Sequence, residues 1–344
     1  MSRRSDIDWV RAVSICGVVL LHSSSLFVSR QSRLTVLGVT PAMLCNQATR
    51  FCVPVFFMLS GLGLSISKRT LRLPGFWLHR LRRTAVPYIL WTVFYYLSDK
   101  GFRIEALFSA SGLYTLGRML LTGGAASHLW FLPVLLQLYF LYPGLKCLIR
   151  RFPVLTLLGT FLLSMFCTLV YYVPLFSGGW WRPCLWRMFP PWLFYFVLGL
   201  ALSEKRLECA ETFIHRRMPV FVLAAVAAAL LYTWDAVQRG DLDSIKPQLF
   251  LYSPFCFVLL ASSWTRLQRL PGLASLSAFI ARHSMTVYFS HIFFLRILRQ
   301  VRFLNTNALT MLLMFTAVLF LSVLTGIIPE MTERLLKRMR SAMN

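Results

Sequence analysis

Long apolar segments separated by short basic ones limit the fold of this chain more than any other feature. Hydrophobic residues make up 57% of the sequence and charged residues 14%. The apolar blocks are about as long as a helix that crosses a bilayer, where backbone polar groups must bond within their own segment. The sequence therefore predicts an all-α polytopic membrane protein with about ten transmembrane helices. These lie at roughly 9–28, 44–66, 84–98, 128–149, 153–174, 190–203, 218–235, 248–264, 282–298 and 308–329.

The distribution of Lys and Arg predicts the orientation of these segments. With both termini in the cytoplasm, more Lys and Arg fall in cytoplasmic segments than in outer ones, as the positive-inside rule expects. Counting residues 104–122 as an eleventh span would reverse this bias, so we interpret that stretch as an outer interfacial helix. Because no repeat and no long linker is visible, we expect residues 1–344 to form a single membrane domain.

The distribution of charge and of cysteine argues against nucleic acid, a metal site and disulfide bonds. The net charge of +24 would suit nucleic acid, but Lys and Arg lie between apolar blocks and form no continuous stripe. We therefore expect contact with membrane lipids and no nucleic-acid partner. The eight cysteines are scattered and include no CxxC pair, so we expect no metal site and no disulfide framework. No motif indicates a bound cofactor.

The first apolar segment carries two ionisable residues, Arg11 and His22. In a helix the eleven steps between them amount to about three turns, which places both on one face about 16 Å apart along the axis. Ionisable residues inside a membrane segment are costly and often functional. Arg11 could instead extend to the headgroups, and His22 could merely bond a neighbouring helix, but their shared face favours a functional pair.

The second segment and the loop after it hold further candidates. Arg50 lies at the outer end of the second segment, and Ser60 lies toward its cytoplasmic end. Arg80, Arg82 and Arg83 close the most basic loop of the chain. Positive-inside bias explains most of this charge, although guanidinium groups would also suit a phosphate-rich cytoplasmic ligand.

Two later segments contribute histidines at mid to outer depth. His128 and Trp130 begin the fourth segment at the outer interface, where Trp is commonly an anchor. Tyr288 and His291 lie three residues apart in the ninth segment and therefore share a helix face, either as a polar packing pair or as part of a site. Spacing alone leaves open whether the histidines converge.

Taken in order, these residues form a pattern that resembles the membrane acyltransferase-3 family over nearly the whole chain. Within that family the segments around Arg50 and His128 look most like the enterobacterial common antigen O-acetyltransferases. The pattern consists of Arg11-x10-His22, Phe56-Phe57-x-x-Ser60-Gly61, Arg80-x-Arg82-Arg83 leading to Pro87-Tyr88, His128-Leu-Trp130, and Ser284-x-x-x-Tyr288-x-x-His291.

The resemblance implies a bacterial inner-membrane enzyme for O-acetylation. Such an enzyme moves an acyl group, expected to be acetyl from cytoplasmic acetyl-CoA, to a hydroxyl of an envelope polysaccharide or lipid-linked sugar. We hypothesise that His22 is the general base and that Arg11 binds phosphate or the donor end. The tetrahedral oxyanion would be stabilised by Arg50 or by donors near Tyr288 and His291.

The resemblance also assigns the remaining candidates. Ser60 would contact acyl-CoA together with the three arginines at 80, 82 and 83, and His128 and Trp130 would serve the acceptor or the oxyanion. Direct transfer and a covalent acyl-His22 or acyl-Ser60 intermediate both stay open. A transporter or flippase for a lipid-linked sugar or small anion is the alternative from another class, in which Arg11 and His22 would line the path.

Overall fold

The computed structural model describes residues 4–28, 39–67, 73–173, 182–202, 209, 212–214, 216–240, 242–243, 245–301 and 307–343. Within those ranges all of the assigned elements are helices and none is a strand, which confirms the all-α prediction. The α-helices are α1 (Ser5–Ser25), α2 (Pro41–Ala48), α3 (Cys52–Ser65), α4 (Leu73–Arg80), α5 (Val86–Asp99), α6 (Ala110–Thr122), α7 (Phe131–Arg151), α8 (Pro153–Tyr172), α9 (Arg182–Leu185), α10 (Leu193–Ala201), α11 (Met218–Arg239), α12 (Leu249–Leu267), α13 (Leu273–Leu298) and α14 (Ala308–Met343). Leu81–Ala85 is π-helical, and Ile104–Leu107 and Pro190–Trp192 are 3-10 helices.

Length and composition mark six membrane spans in the described part of the chain. They are Ser5–Ser25, Pro41–Ser65, Phe131–Arg151, Pro153–Tyr172, Met218–Arg239 and Ala308–Ile328. This confirms a multi-pass membrane protein. The other four predicted segments overlap α5, Pro190–Ala201, α12 and α13, which are shorter or less apolar. Ten crossings and the orientation of the termini therefore stay predictions.

The second predicted span is interrupted at residues 49–51, between α2 and α3. The side chain of Thr40 caps α2 by accepting the backbone N–H of Met43 at 3.1 Å. The break follows from Pro54, which has no N–H for the carbonyl of Arg50 and whose ring crowds that carbonyl. Arg50 consequently lies in a turn between two helices.

By the density of its contacts the chain divides into two compact units. The first unit comprises Met1–Val53, Ala210–Leu242 and Phe255–Asn344. Within it, α1 packs along α13, and α13 packs along α14. A Cβ atom on Gly326 of α14 would lie only 2.7 Å from Nδ1 of His283, so glycine permits this close approach.

The N-terminal end of α1 is held by paired tryptophans. The rings of Trp9 and Trp264 lie 5.9 Å apart. Nε1 of Trp9 donates to Oγ of Ser263 at 3.1 Å, and Nε1 of Trp264 donates to Oγ of Ser5 at 2.8 Å. These reciprocal bonds fix the start of α1 against the end of α12.

The second unit comprises Pro54–Cys209 and Asp243–Pro254. Its helices α3 and α10 cross where their backbones touch. A side chain on Gly61 would meet the carbonyl oxygen of Phe196, and one on Gly199 would meet the carbonyl oxygen of Met58. Small residues allow such close crossings in membranes, where packing rather than water exclusion drives helix association. Gly61 is thus a packing residue.

Candidate active site

Two histidines that are far apart in the sequence come together in the first unit. The ring centroids of His22 and His291 lie 5.2 Å apart, and the ring planes are inclined by 46°. His22 is half-buried near the end of α1, whereas His291 is fully buried on α13. We call these two residues the histidine pair. It exists because α1 and α13 pack side by side.

A backbone hydrogen bond orients the ring of His291. Its Nδ1 lies 3.0 Å from the carbonyl oxygen of Val287, one turn earlier in α13. Since a carbonyl oxygen only accepts, Nδ1 donates, and the neutral ring carries its lone pair on Nε2. His291 therefore has Nε2 as its only proton-accepting nitrogen. The ring of Tyr288 lies 6.2 Å from the same imidazole.

Asn46, on α2, joins the end of α1 to Arg50. Its side chain makes four hydrogen bonds. Nδ2 donates to the carbonyl of Leu21 at 2.9 Å and to Oγ of Ser25 at 2.8 Å. Oδ1 accepts from Nη2 of Arg50 at 2.8 Å and from Nε2 of Gln47 at 2.9 Å. Asn46 is fully buried, so these bonds form away from water.

This network brings Arg50 close to the histidine pair. Leu21, which Asn46 contacts, directly precedes His22. Arg50 and His291 both lie within electrostatic range of His22. A guanidinium within electrostatic range of His22, together with the ring of His291 against it, combines groups that can move a proton with a donor that can stabilise a negatively charged oxygen.

Arg11 lies outside this cluster. Its Nη1 is 3.9 Å from Oδ1 of Asp8, one turn earlier in α1, and the carboxylate is buried. The guanidinium remains 35% exposed. Helical geometry separates Arg11 from His22 by about 16 Å along the axis. The two residues therefore belong to one helix but lie too far apart to contact each other.

Four candidates for acyl-CoA contact lie in the second unit in different surroundings. Oγ of Ser60 donates to the carbonyl of Phe56 at 2.8 Å within α3. The guanidinium of Arg80 lies 5.1 Å from the ring centre of Tyr139. Arg82 and Arg83 are exposed on the π-helical segment that follows. Arg80 thus packs on aromatic rings, while its two neighbours stay accessible to a ligand.

His128 and Trp130 also belong to the second unit, where both are buried among aromatic rings. His128 meets Tyr95 edge-on at 5.7 Å between ring centroids. Trp130 lies 5.0 Å from each of Trp186 and Trp192. This packing gives Trp130 a structural role whether or not it also touches an acceptor.

Sequence reasoning missed Asn46, Gln47 and Asp8. A signal existed for each. Asn and Gln side by side inside an apolar segment need partners, and Asn46 lies four residues before Arg50, on the same helical face. Asp8 lies three residues before Arg11, which is the spacing of a helical ion pair.

The described part of the chain is helical, and six of its helices are long and apolar enough to cross a membrane. The model of the acyltransferase-3 family, described as an acyltransferase domain, matches residues 4–329. The chain therefore belongs to this family, as its motifs predict. No curated protein and no solved structure matches the chain. The relation to the enterobacterial common antigen enzymes stays a prediction.

Proposed function

We propose that this protein is an O-acyltransferase of the bacterial inner membrane. It moves an acyl group, most simply acetyl, from cytoplasmic acyl-CoA to a hydroxyl of an envelope polysaccharide or lipid-linked sugar. Membership of an acyltransferase family supports the reaction type. The observation that carries the proposal is the contact between His22 and His291 beside Arg50.

In this mechanism His22 is the general base. The acceptor hydroxyl gives its proton to His22 while its oxygen attacks the carbonyl carbon of the thioester. The carbon–sulfur bond then breaks, and the proton passes to the departing CoA sulfur. The products are an ester on the sugar and free CoA. No covalent acyl-enzyme is required.

Arg50 and His291 have supporting roles. Arg50 donates to the oxyanion of the tetrahedral intermediate, because Asn46 holds its guanidinium in place. His291 keeps the His22 ring in position by contact, and its own orientation is set by Val287. Arg11, about 16 Å away along α1, binds the phosphates or another part of the donor.

Transfer of labelled acetyl from acetyl-CoA to the glycan fraction of membrane vesicles tests this proposal. We expect His22→Ala to lower the rate by about 10²–10⁴-fold, as for loss of a general base. His79→Ala is the control, since His79 is a histidine of α4 outside the histidine pair. Equal rates in the wild type and His22→Ala at matched abundance would remove His22 from the mechanism. No transfer by the wild type from any acyl-CoA would favour the transporter alternative.

A further inference from the structure

A cavity of about 300 Å³ opens in the second unit where the ends of four helices meet. Ser65 ends α3, Ala201 ends α10, and Pro153 begins α8. Lys146 and Arg150 reach it from the last two turns of α7. The sequence-based topology places all four of these ends on the cytoplasmic side. We call this feature the basic cavity.

Both charged side chains that line the basic cavity are positive. Lys146 and Arg150 are four residues apart on α7 and therefore lie on one face of the helix. None of the eight described residues that line the cavity is acidic. Three of the four helix ends at the cavity are C-terminal, so the positive charge that attracts an anion comes from the two side chains and not from helix dipoles. The hydroxyl-bearing residues Ser65 and Tyr142 complete the polar wall.

The size of the basic cavity limits what it can hold. Sites for small molecules typically enclose about 300–1,000 Å³, so this cavity lies at the lower bound. It has room for a phosphate ester and its immediate neighbours, and too little room for a whole acyl-CoA. Its remaining wall is apolar and is formed by Ile149, Pro153, Leu200 and Ala201.

We propose that the basic cavity binds a phosphate ester through Lys146 and Arg150. The phosphate comes either from acyl-CoA, in which case the site rests on the proposed function, or from the headgroup of an anionic lipid. Both sources present the same chemistry to the two cations. Arg82 and Arg83, the exposed arginines predicted from the sequence, are separate from the residues that line this cavity.

A purely structural role for the two cations makes a different prediction. Basic residues near a helix C-terminus also interact with that helix's last carbonyls, and Nζ of Lys146 lies 5.5 Å from the ring centre of Tyr142. If these were their only roles, neighbouring cations at the same helix end would be equivalent. Arg151 provides that comparison, because it is exposed, does not line the cavity, and stacks on Phe152 at 5.4 Å.

The test compares Arg150→Gln with Arg151→Gln in the full-length protein, since each removes one charge from adjacent exposed positions. The first probe is coenzyme A, with dephospho-coenzyme A beside it, bound to protein in phosphatidylcholine nanodiscs. The second probe is labelled phosphatidylglycerol in nanodiscs of phosphatidylglycerol and phosphatidylcholine. Both probes report binding without requiring acyl transfer.

We expect Arg150→Gln to weaken one probe about tenfold, which corresponds to about 1.4 kcal/mol, with Arg151→Gln within about twofold of the wild type. A loss confined to coenzyme A identifies the donor as the source, and a smaller loss with dephospho-coenzyme A identifies its 3′-phosphate. A loss confined to phosphatidylglycerol identifies a lipid site. Equal behaviour of the two variants with both probes would overturn the proposal.

A second variant guards against a folding defect in the first. Ser65 is exposed, so Ser65→Glu places a carboxylate beside the two cations without disturbing the interior. We expect it to weaken the same probe as Arg150→Gln, and unchanged binding would contradict the site. The binding measurements can fail separately from the proposed function. If the protein binds lipid but transfers no acyl group, the proposed function is refuted and the phosphate site is supported. If it transfers acyl groups but Arg150→Gln and Ser65→Glu bind both probes normally, the phosphate site is refuted and the proposed function is supported.

Discussion

Replacement of Asn46 by Ala tests whether the site depends on a side chain rather than on helix packing alone. The substitution removes four hydrogen bonds. Three join neutral groups, at about 1 kcal/mol each, and the bond from Arg50 is charge-assisted, at about 2 kcal/mol. Their sum of about 5 kcal/mol is an upper bound, because the surrounding groups can re-pair. We expect the free energy of unfolding to fall by about 2–3 kcal/mol.

The same substitution should reduce activity through Arg50. Without Oδ1 of Asn46, the guanidinium loses the acceptor that holds it near His22. An oxyanion donor that is misplaced rather than deleted should cost about 10- to 100-fold in kcat, with a smaller effect on the KM for acetyl-CoA. The assay is labelled acetyl transfer by purified protein in nanodiscs, with thermal unfolding followed on the same samples.

Asn46→Asp separates positioning from stability. The carboxylate still accepts from Arg50 but cannot donate to the carbonyl of Leu21, which it repels. We expect Asn46→Asp to be no more stable than Asn46→Ala, yet several-fold more active. Ser25→Ala, which removes a single partner of Asn46, serves as a mild control. If Asn46→Ala stayed within twofold of wild-type kcat, or if activity simply followed stability across these variants, the positioning role would be refuted.

Two further predictions concern the histidine pair and the helix crossing. His291→Ala should lower kcat by at least about tenfold with little change in the KM for acetyl-CoA, because it removes the contact that positions His22; an effect on KM alone would contradict this. Gly61→Ala should cost about 1–3 kcal/mol in unfolding free energy, because its methyl group meets the backbone of α10. Gly63→Ala is the matched control, since nothing lies within 4 Å of a Cβ there, and it should be neutral or stabilising in thermal unfolding.

Helix positions follow closely from composition. The predicted spans 128–149 and 153–174 differ by only a few residues from Phe131–Arg151 and Pro153–Tyr172. Apolar length was sufficient there because a bilayer imposes a narrow range of helix lengths. It was insufficient for 282–298, where the helix already begins at Leu273. Polar residues such as Ser275 and Ser277 lower the hydropathy of residues 273–281 without ending the helix.

The sequence indicated which residues were candidates for the site, but it did not indicate which of them lie together. His22, His291 and Arg50 were each conspicuous as ionisable groups in apolar segments. The contact between His22 and His291 depends on α1 packing against α13, which hydropathy does not encode. Arg11 and His22 were predicted to act as a pair, but they do not lie together. Spacing correctly placed both on one helix, but Arg11 lies beside Asp8 of the same helix and not beside His22.

Arg50 shows how an irregularity in a span becomes chemically useful. Pro54 breaks the helix at residues 49–51, so the backbone no longer fixes the direction of the Arg50 side chain as a continuous helix would. Asn46 takes over that task from the end of α2. A guanidinium in a helix interior would instead have to extend along the helix surface toward the headgroups. The break therefore leaves Asn46 to set the position of the Arg50 guanidinium. Pro54→Ala, which permits a continuous helix, should lower the rate of labelled acetyl transfer more than it lowers thermal stability.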